Sequence, residues 1–284
     1  MGMSTERDAA ADAGEGHDRD RDRSHDHSDG RDQVRDLEER SRDRALEGRV
    51  VLVAGASSGM GRATALALAA AGASLTLAAR GEEGLAAVAA AARREGAAEP
   101  LAVPTDATDR AAAGRLVAAA VGRFGRVDAL VATVGTNIPR RTLGELTEAS
   151  WAEMVAINLS AAFNLTQAVV PALREGGGGQ IVYVSSSAAK RPDASGVAYQ
   201  ATKAGVVGLA HGTMEEERAH GIRTTVVFPG LTDTPMVLKR PTPPPPETLA
   251  LALQPEDVAA AILFVLRLPA RAHVPELLLY PSRL

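Results

Sequence analysis

The 284-residue sequence contains no cysteine, which excludes a disulfide framework, a cysteine-ligated metal site and thiol catalysis. Aromatic residues make up only 3% of the chain, so few rings are available to stack on bases, and we expect no nucleic-acid partner. No uninterrupted apolar run reaches the roughly 18 residues of a membrane span. The N-terminal residues lack the apolar core of a signal peptide. We therefore expect a cytoplasmic protein with no membrane partner.

The acidic charge is concentrated near the N-terminus. The chain carries a net charge of −4, and residues 1–44 alone hold 9 Arg against 14 Asp and Glu. This segment has almost no apolar residues, so it cannot bury enough surface to offset the entropy of ordering. We predict a disordered tail over residues 1–44, with an optional helix over 33–46, and a folded domain over 45–284. We expect its histidines to be solvated rather than metal-binding: His17, His25 and His27.

Beyond the tail, short apolar runs alternate with alanine-rich segments. The runs predict seven strands: Val50–Ala54, Leu75–Ala79, Leu101–Pro104, Ala129–Val134, Gln180–Ser185, Arg223–Phe228 and Leu277–Tyr280. The other segments predict helices: Met60–Ala71, Glu82–Arg94, Arg110–Phe124, Ser150–Arg174, Val197–His220 and Pro255–Arg267. Such alternation indicates β-α-β units. We therefore predict an α/β fold, a single domain with a doubly wound, seven-stranded parallel sheet flanked by helices.

A glycine-rich turn follows the first predicted strand. Gly55, Gly59 and Gly61 stand between that strand and a helix, which is the layout of the dinucleotide-binding crossover of Rossmann folds. Such glycines allow a tight turn, a close approach of backbone N–H groups to a pyrophosphate, and close packing of helix on strand. Gly55, Ser57 and Gly59 also match the nucleophile elbow of α/β-hydrolases. That alternative is disfavoured, because the chain lacks an upstream oxyanion loop and suitably ordered acid and His residues.

The end of the second predicted strand bears on the choice of dinucleotide. An Asp or Glu about 20 residues past the glycine turn binds the ribose 2′-OH of NAD, but the chain has Ala79 and Arg80 there. We interpret Arg80 as a partner of the 2′-phosphate of NADP, the alternative being a solvated side chain. Asp106 follows the third strand. It either bonds the adenine amino group or caps the next helix, and the residues alone leave both open.

Tyr199 and Lys203 form the strongest candidate for acid–base chemistry. They lie four residues apart on a predicted helix, so both project from one face, although a surface pair has the same spacing. An ammonium close to a phenol lowers the pKa of the phenol from its usual value near 10 and makes it usable near neutral pH. In the run Ser185–Ser187, side chains alternate, so Ser186 faces away from its two neighbours.

These motifs make residues 49–284 resemble the short-chain dehydrogenase/reductase family. The run Gly55-Ala56-Ser57-Ser58-Gly59-Met60-Gly61 is similar to its cofactor motif. Its catalytic tetrad is matched by four residues: Asn158, Ser186, Tyr199 and Lys203. Its PGxxxT stretch near the nicotinamide is matched by Pro229, Gly230 and Thr234. The chain departs from the family at Ala132-Thr133-Val134-Gly135, where the family usually has Asn-Asn-Ala-Gly. Both asparagine side chains of the family stretch are therefore absent, and we expect Thr133 to supply one hydrogen bond in their place.

The resemblance implies hydride transfer between NADP(H) and a ketone or secondary alcohol. By this resemblance, Tyr199 transfers the proton and Ser186 forms a hydrogen bond with the substrate oxygen. Lys203 binds the ribose hydroxyls of the cofactor and lowers the pKa of Tyr199. Asn158 would maintain a proton relay. The implied cofactor contacts are Gly55, Ser57, Ser58, Gly59, Met60, Gly61, Arg80, Asp106, Gly135, Tyr199, Lys203, Pro229, Gly230 and Thr234. We expect no bound metal. The resemblance also implies a homodimer or homotetramer.

Two alternatives and the substrate remain open at this point. The alternatives are an NAD-dependent alcohol dehydrogenase of the same family and a non-catalytic NADP-binding regulatory protein. We expect the loop Leu231–Gln254, with a stiff polyproline segment at Pro243–Pro246, to cover the substrate pocket. We expect the mouth of that pocket to be lined by Lys190, Arg191 and Asp193. The two cations either steer an acidic substrate or are simply solvated.

Overall fold

The computed structural model describes residues 44–284. The predicted tail, with His17, His25 and His27, lies outside the described residues apart from its last position. Leu46 is buried, and its backbone N–H donates to the Ala71 carbonyl at 2.9 Å. The folded domain therefore includes the residues immediately before the first strand.

Seven strands form one parallel sheet within the described residues: β1 Val50–Ala54, β2 Ser74–Ala79, β3 Leu101–Pro104, β4 Ala129–Ala132, β5 Gly179–Val184, β6 Ile222–Pro229 and β7 Glu276–Leu279. Their order across the sheet is β3-β2-β1-β4-β5-β6-β7. The first three strands are added in one direction across the sheet and the last four in the other, so the strand order reverses between β1 and β4. These two strands pair in parallel through Val51–Ala54 and Ala129–Ala132. All five residues of β1 are buried, as a strand covered on both faces requires.

Eight α-helices are present in the same residues: α1 Gly59–Ala70, α2 Glu82–Arg94, α3 Arg110–Phe124, α4 Glu148–Val155, α5 Ala161–Glu175, α6 Val197–Glu217, α7 Pro246–Leu249 and α8 Pro255–Arg267. One core cluster joins the sheet to α1, α2 and α8, through residues such as Leu68, Leu85 and Ile262. A second cluster joins the other face to α3, α5 and α6, through residues such as Leu116 and Leu165. The predicted doubly wound architecture is confirmed.

The predicted helix Ser150–Arg174 contains an interruption. A π-helical turn over Ala156–Ser160 separates α4 from α5, and the Ala161 N–H donates to the Ala156 carbonyl. The whole run Glu148–Glu175 is long and apolar enough to cross a membrane by length and composition. In the fold, the α5 residues Leu165 and Val169 pack into the core, as expected of a core helix.

The loop between β6 and α8 is more ordered than the sequence suggested. Residues Pro235–Lys239 form a 3-10 turn, and α7 begins at Pro246. Pro245 has the polyproline geometry, with φ −68° and ψ 159°. The prediction of a polyproline segment over Pro243–Pro246 is wrong at Pro246, because proline is well suited to the first turn of a helix.

Candidate active site

A cleft of about 350 Å³ opens at the carboxyl ends of the central strands. It lies at the point where the strand order reverses between β1 and β4, which is where open α/β sheets bind ligands. The cleft is lined by most of the predicted cofactor contacts: Gly55, Ser57, Ser58, Gly59, Met60, Gly61, Arg80, Asp106, Gly135 and Thr234. The fold thus brings together segments that the sequence separates widely.

The glycine turn forms a cradle that larger residues would fill. Gly55 and Gly59 adopt φ values of +87° and +50°, which favour glycine. A Cβ on Gly61 would overlap the Gly55 carbonyl and lie 2.5 Å from Thr133 Oγ1. Within the described residues, Ser58 makes no side-chain capping bond at the start of α1, as suits a helix N-terminus that binds an anion. These residues fit the pyrophosphate of a dinucleotide.

The far end of the cleft carries opposite charges. Arg80 is exposed directly after β2, and Asp106 follows β3. Asp106 Oδ1 accepts hydrogen bonds from Thr108 N at 3.0 Å and Thr108 Oγ1 at 2.8 Å, which lower the pKa of its carboxyl group. Asp109 caps α3 instead, by accepting from Ala111 N at 2.8 Å. The N-cap of α3 is therefore Asp109 and not Asp106, whose carboxylate lines the cleft and is bonded within the turn that precedes the helix.

Lys203 lies beneath the cleft, where it is almost completely buried. Its Nζ donates to the Val184 carbonyl at 3.0 Å, and burial lowers the pKa of the ammonium to about 8. A Cβ on Gly135 would lie 2.9 Å from this Nζ. Gly135, which lines the cleft, therefore leaves room for the lysine ammonium behind it, and Lys203 itself is not among the described residues that line the cleft.

Tyr199 stands above Lys203 on α6, and burial raises the pKa of its phenol above the ordinary value. The Ser186 hydroxyl opposes this rise, Asp193 adds to it, and the guanidinium groups of Arg240 and Arg141 also oppose it. The prediction that Lys203 lowers the pKa of Tyr199 is not supported, because Lys203 is not among the groups that shift this pKa. Lys203 Nζ is 5.9 Å from the centroid of the Tyr199 ring and directs a hydrogen bond at Val184.

Asn158 occupies the π-helical turn and is buried. Its Oδ1 accepts from the Thr136 N–H at 2.7 Å, and its Nδ2 donates to the Thr136 carbonyl at 3.1 Å and to Thr202 Oγ1 at 3.2 Å. The side chain thus ties the loop after β4 to α6, on which Tyr199 and Lys203 lie. Turns of this type are frequent at functional sites.

The prediction that Ser186 faces away from both neighbours is not borne out, because Ser185, Ser186 and Ser187 line one cavity and Ser187 begins a 3-10 turn instead of continuing the strand. Ser185 Oγ is buried and donates to the Lys203 carbonyl at 2.8 Å. Ser186 Oγ accepts from Ala188 N at 3.2 Å and lines a cavity together with Tyr199. Thr133 supplies the bond expected of it, because its Oγ1 donates to the Ala54 carbonyl at 2.7 Å and links β4 to β1.

This second cavity, of about 90 Å³, adjoins the cleft at residues shared by both, including Thr234 and Met236. Pro229 and Gly230 line it as well. Three polar residues that line it belong to no motif in the sequence: Asn137, Arg141 and Ser195. Thr232 and Arg240, which also line it, lie in the loop predicted to cover the pocket but carry no pattern that singles them out.

The predicted mouth residues separate in the structure. Asp193 lines the second cavity. Lys190 instead forms an ion pair with Glu276 at 2.7 Å and lies 4.8 Å from the centroid of the Phe228 ring. The Lys190 charge is therefore partly neutralised by Glu276 away from the cavity. This position does not favour a role for Lys190 in attracting an acidic substrate.

The family model described as short chain dehydrogenase matches residues 49–243, more than half of the chain. The chain belongs to the short-chain dehydrogenase/reductase family. It is an oxidoreductase with a nucleotide-binding Rossmann fold. The cis-4-hydroxycyclohexanecarboxylate dehydrogenase of Sinomonas cyclohexanicum is 35% identical over 181 residues, covering 62% of this chain and 73% of the relative.

Solved structures of similar proteins extend this likeness to the whole domain. Levodione reductase is 30% identical with a TM-score of 0.78, and the match covers 84% of this chain and 98% of the reductase. An alcohol dehydrogenase from Thermococcus sibiricus, in complex with 5-hydroxy-NADP, is 29% identical with a TM-score of 0.75 and covers 82% and 97%. Carveol dehydrogenase from Mycobacterium avium, in complex with NAD, is 27% identical with a TM-score of 0.76 and covers 83% and 97%. Similar folds therefore hold either dinucleotide.

Proposed function

We propose that this protein is an NADP(H)-dependent oxidoreductase that interconverts a ketone and a secondary alcohol. One observation carries the proposal. Ser186 and Tyr199 line the small second cavity, which shares Met60, Thr234 and Met236 with the larger cleft, and the buried Lys203 ammonium lies 5.9 Å from the centroid of the Tyr199 ring. A proton donor, a hydrogen-bonding hydroxyl and a buried cation thus meet where a substrate carbonyl would face the end of the cleft.

The cofactor would be held mainly by backbone groups of the glycine turn and the first turn of α1. When bound, NADP(H) supplies the hydride donor or acceptor of the reaction. Arg80 offers a guanidinium for the 2′-phosphate, and Asp106 an acceptor for the adenine amino group. Lys203, whose Nζ lies close to the cleft residue Gly135, would bond the ribose hydroxyls. Pro229, Gly230 and Thr234 would border the nicotinamide end.

The proton chemistry follows from the surroundings of Tyr199. A phenol is protonated at neutral pH, so Tyr199 can donate to a substrate oxygen during reduction, and the Ser186 hydroxyl and the two nearby guanidinium groups oppose the rise in pKa that would make it a weaker acid. Ser186 would hydrogen-bond to the same oxygen and steady its developing negative charge. The tyrosinate left behind would be stabilised by the Arg240 and Arg141 guanidinium groups, which already oppose the rise in its pKa. Asn158 holds the loop and helix that set these distances.

The NAD-dependent alcohol dehydrogenase stays as the second candidate, because a relative of similar fold binds NAD. We also propose a homodimer or homotetramer in the cytoplasm. Trp151 on α4 and Phe163 on α5 are 42% and 44% exposed, which supports a contact through these helices.

A turnover assay with a panel of cyclic and acyclic ketones and NADPH tests the proposal. We expect Tyr199→Phe to reduce kcat by roughly 1000-fold, because proton transfer by a positioned group contributes about 10²–10⁴-fold. NADPH affinity should stay near the wild-type value. Tyr280→Phe, which removes an exposed hydroxyl elsewhere, is the matched control. Turnover unchanged in Tyr199→Phe contradicts the mechanism, and NADPH binding without turnover of any ketone favours the regulatory alternative.

A further inference from the structure

Arg141 is buried in the second cavity with part of its hydrogen-bonding capacity unused. The side chain is 6% exposed, and its Nη2 donates to the Lys239 carbonyl at 2.7 Å. Within residues 44–284, its Nε is buried without a hydrogen-bond partner. Burying a charged donor in this state is unfavourable unless a ligand completes its bonds.

The fold shapes a place for this arginine. Gly196 has a φ of +94°, and a Cβ on it would lie 2.6 Å from the Arg141 carbonyl oxygen and 2.8 Å from Arg141 Cβ. Asn137 Nδ2 donates to the Ser195 carbonyl at 3.0 Å and so holds the loop segment that precedes Gly196. The arginine is thus set by contacts from three segments rather than left free at the surface.

A second polar atom in the same cavity is also open. Ser195 Oγ is buried and has no partner among the described residues. Both side chains line the cavity that contains Ser186 and Tyr199. Two unsatisfied donors beside a proton donor indicate that a ligand with acceptor atoms completes the site.

The charge balance of the cavity favours an anion. Arg141 and Arg240 are its cations, and Asp193 is the one carboxylate among its lining residues as described. Asp193 Oδ1 already accepts from the Ser195 N–H at 2.8 Å. Burial, and next the Arg240 charge, lower the pKa of Arg141, so a bound negative charge would relieve an unfavourable arrangement. The small volume fits a compact group such as a carboxylate, whose planar oxygens suit a guanidinium.

We propose that the substrate carries a carboxylate, bound by Arg141 with Ser195 and Arg240, while its carbonyl or carbinol carbon reacts beside Tyr199. The assignment rests on the proposed function, since it names the substrate class of the same site. Arg141 is then a specificity-determining residue.

Kinetics with matched substrates test this assignment. Reduction of 4-oxopentanoate and 5-oxohexanoate is compared with reduction of the corresponding primary amides, which are similar in size and neutral. Wild-type protein should prefer the acids, and Arg141→Met should reduce the acid-to-amide ratio of kcat/KM by at least about tenfold, because charge-assisted bonds are lost. Arg140→Met removes an exposed neighbouring charge and should leave the ratio unchanged. An unchanged ratio in Arg141→Met overturns the assignment, including when activity falls for both substrates.

Calorimetry with pentanoate and pentanamide separates this assignment from the proposed reaction. In the presence of NADP, pentanoate should bind more tightly than pentanamide, and Arg141→Met should abolish the difference. Arg141→Lys keeps the positive charge but lacks the planar guanidinium group, so it should retain part of the difference in affinity. This variant replaces Arg141→Met if the Met variant does not fold. Selective pentanoate binding without ketone turnover would support the anion site and contradict the reaction. Equal binding of the two probes to wild-type protein would overturn the anion site, whatever the turnover.

Discussion

The two adjoining cavities are built in different ways. The larger cleft is formed chiefly by backbone and by small residues, within a glycine turn and the ends of neighbouring strands. The smaller cavity is formed by side chains from distant loops, including Asn137, Arg141, Ser195 and Arg240. A backbone site needs particular residue types at fixed spacing, whereas a side-chain site needs only that the fold brings the residues together. The first is therefore visible in a sequence, whereas the second is visible only through the residues that belong to a motif, such as Ser186 and Tyr199.

Substitution of Gly61 tests the backbone construction with the largest expected effect. Gly61→Ala places a methyl group against the Gly55 carbonyl and Thr133 Oγ1. We expect the free energy of unfolding to fall by about 3 kcal/mol, as in overpacked sites, and saturable NADPH binding to disappear. Gly114→Ala, on α3 where a Cβ meets open space, is the matched control and should bind NADPH normally. Normal binding by Gly61→Ala would show that the cradle is not needed.

The buried lysine between the two cavities gives a pH-dependent prediction. In the cofactor-free protein the Lys203 pKa is about 8, below its unfolded value of 10.5, so the unfolded state binds more protons between these pH values. Wild-type stability should therefore rise with pH from about 8 to 10.5 relative to Lys203→Met, by up to about 3 kcal/mol. Urea unfolding of both proteins across this range measures the difference. A difference that does not vary with pH would contradict the burial of a charged lysine.

Arg80 is the side chain to which we assign the proposed preference of the larger cleft for NADP(H). Arg80→Met should weaken NADPH binding by about 10–100-fold, the range of a lost charged hydrogen bond, and leave NADH binding unchanged. Arg94→Met, an exposed arginine at the end of α2, is the control. Equal weakening of both dinucleotides would mean that Arg80 acts through the shape of the cleft and not through the 2′-phosphate.

Much of the fold followed from local patterns in the sequence. The bounds of β1, α2 and α3 match their predicted ranges, because apolar periodicity and glycine punctuation act locally. The π-helical turn at Asn158 was missed, since it is accompanied by bonds to Thr136, 22 residues away in the chain. The cap of α3 was equally hidden, because Asp106 and Asp109 both suit a helix start.

The same reason explains the parts of the site that were missed or misplaced. Arg141 takes its position from Gly196 and from the Lys239 carbonyl, which is 98 residues further along the chain. Lys190 was expected at the pocket mouth, but Glu276 of β7 pairs with it. Such long-range pairings depend on the assembled sheet, and no local pattern records them.

A fluorescence titration of the purified protein with NADPH and, separately, with NADH tests the central claim most directly. We expect saturable binding of both, with clearly tighter binding of NADPH through Arg80. A preference for NADH would contradict the assignment of Arg80 and favour the NAD-dependent alcohol dehydrogenase. Binding of neither dinucleotide would contradict the assignment of the Gly55–Gly61 cleft as a cofactor site.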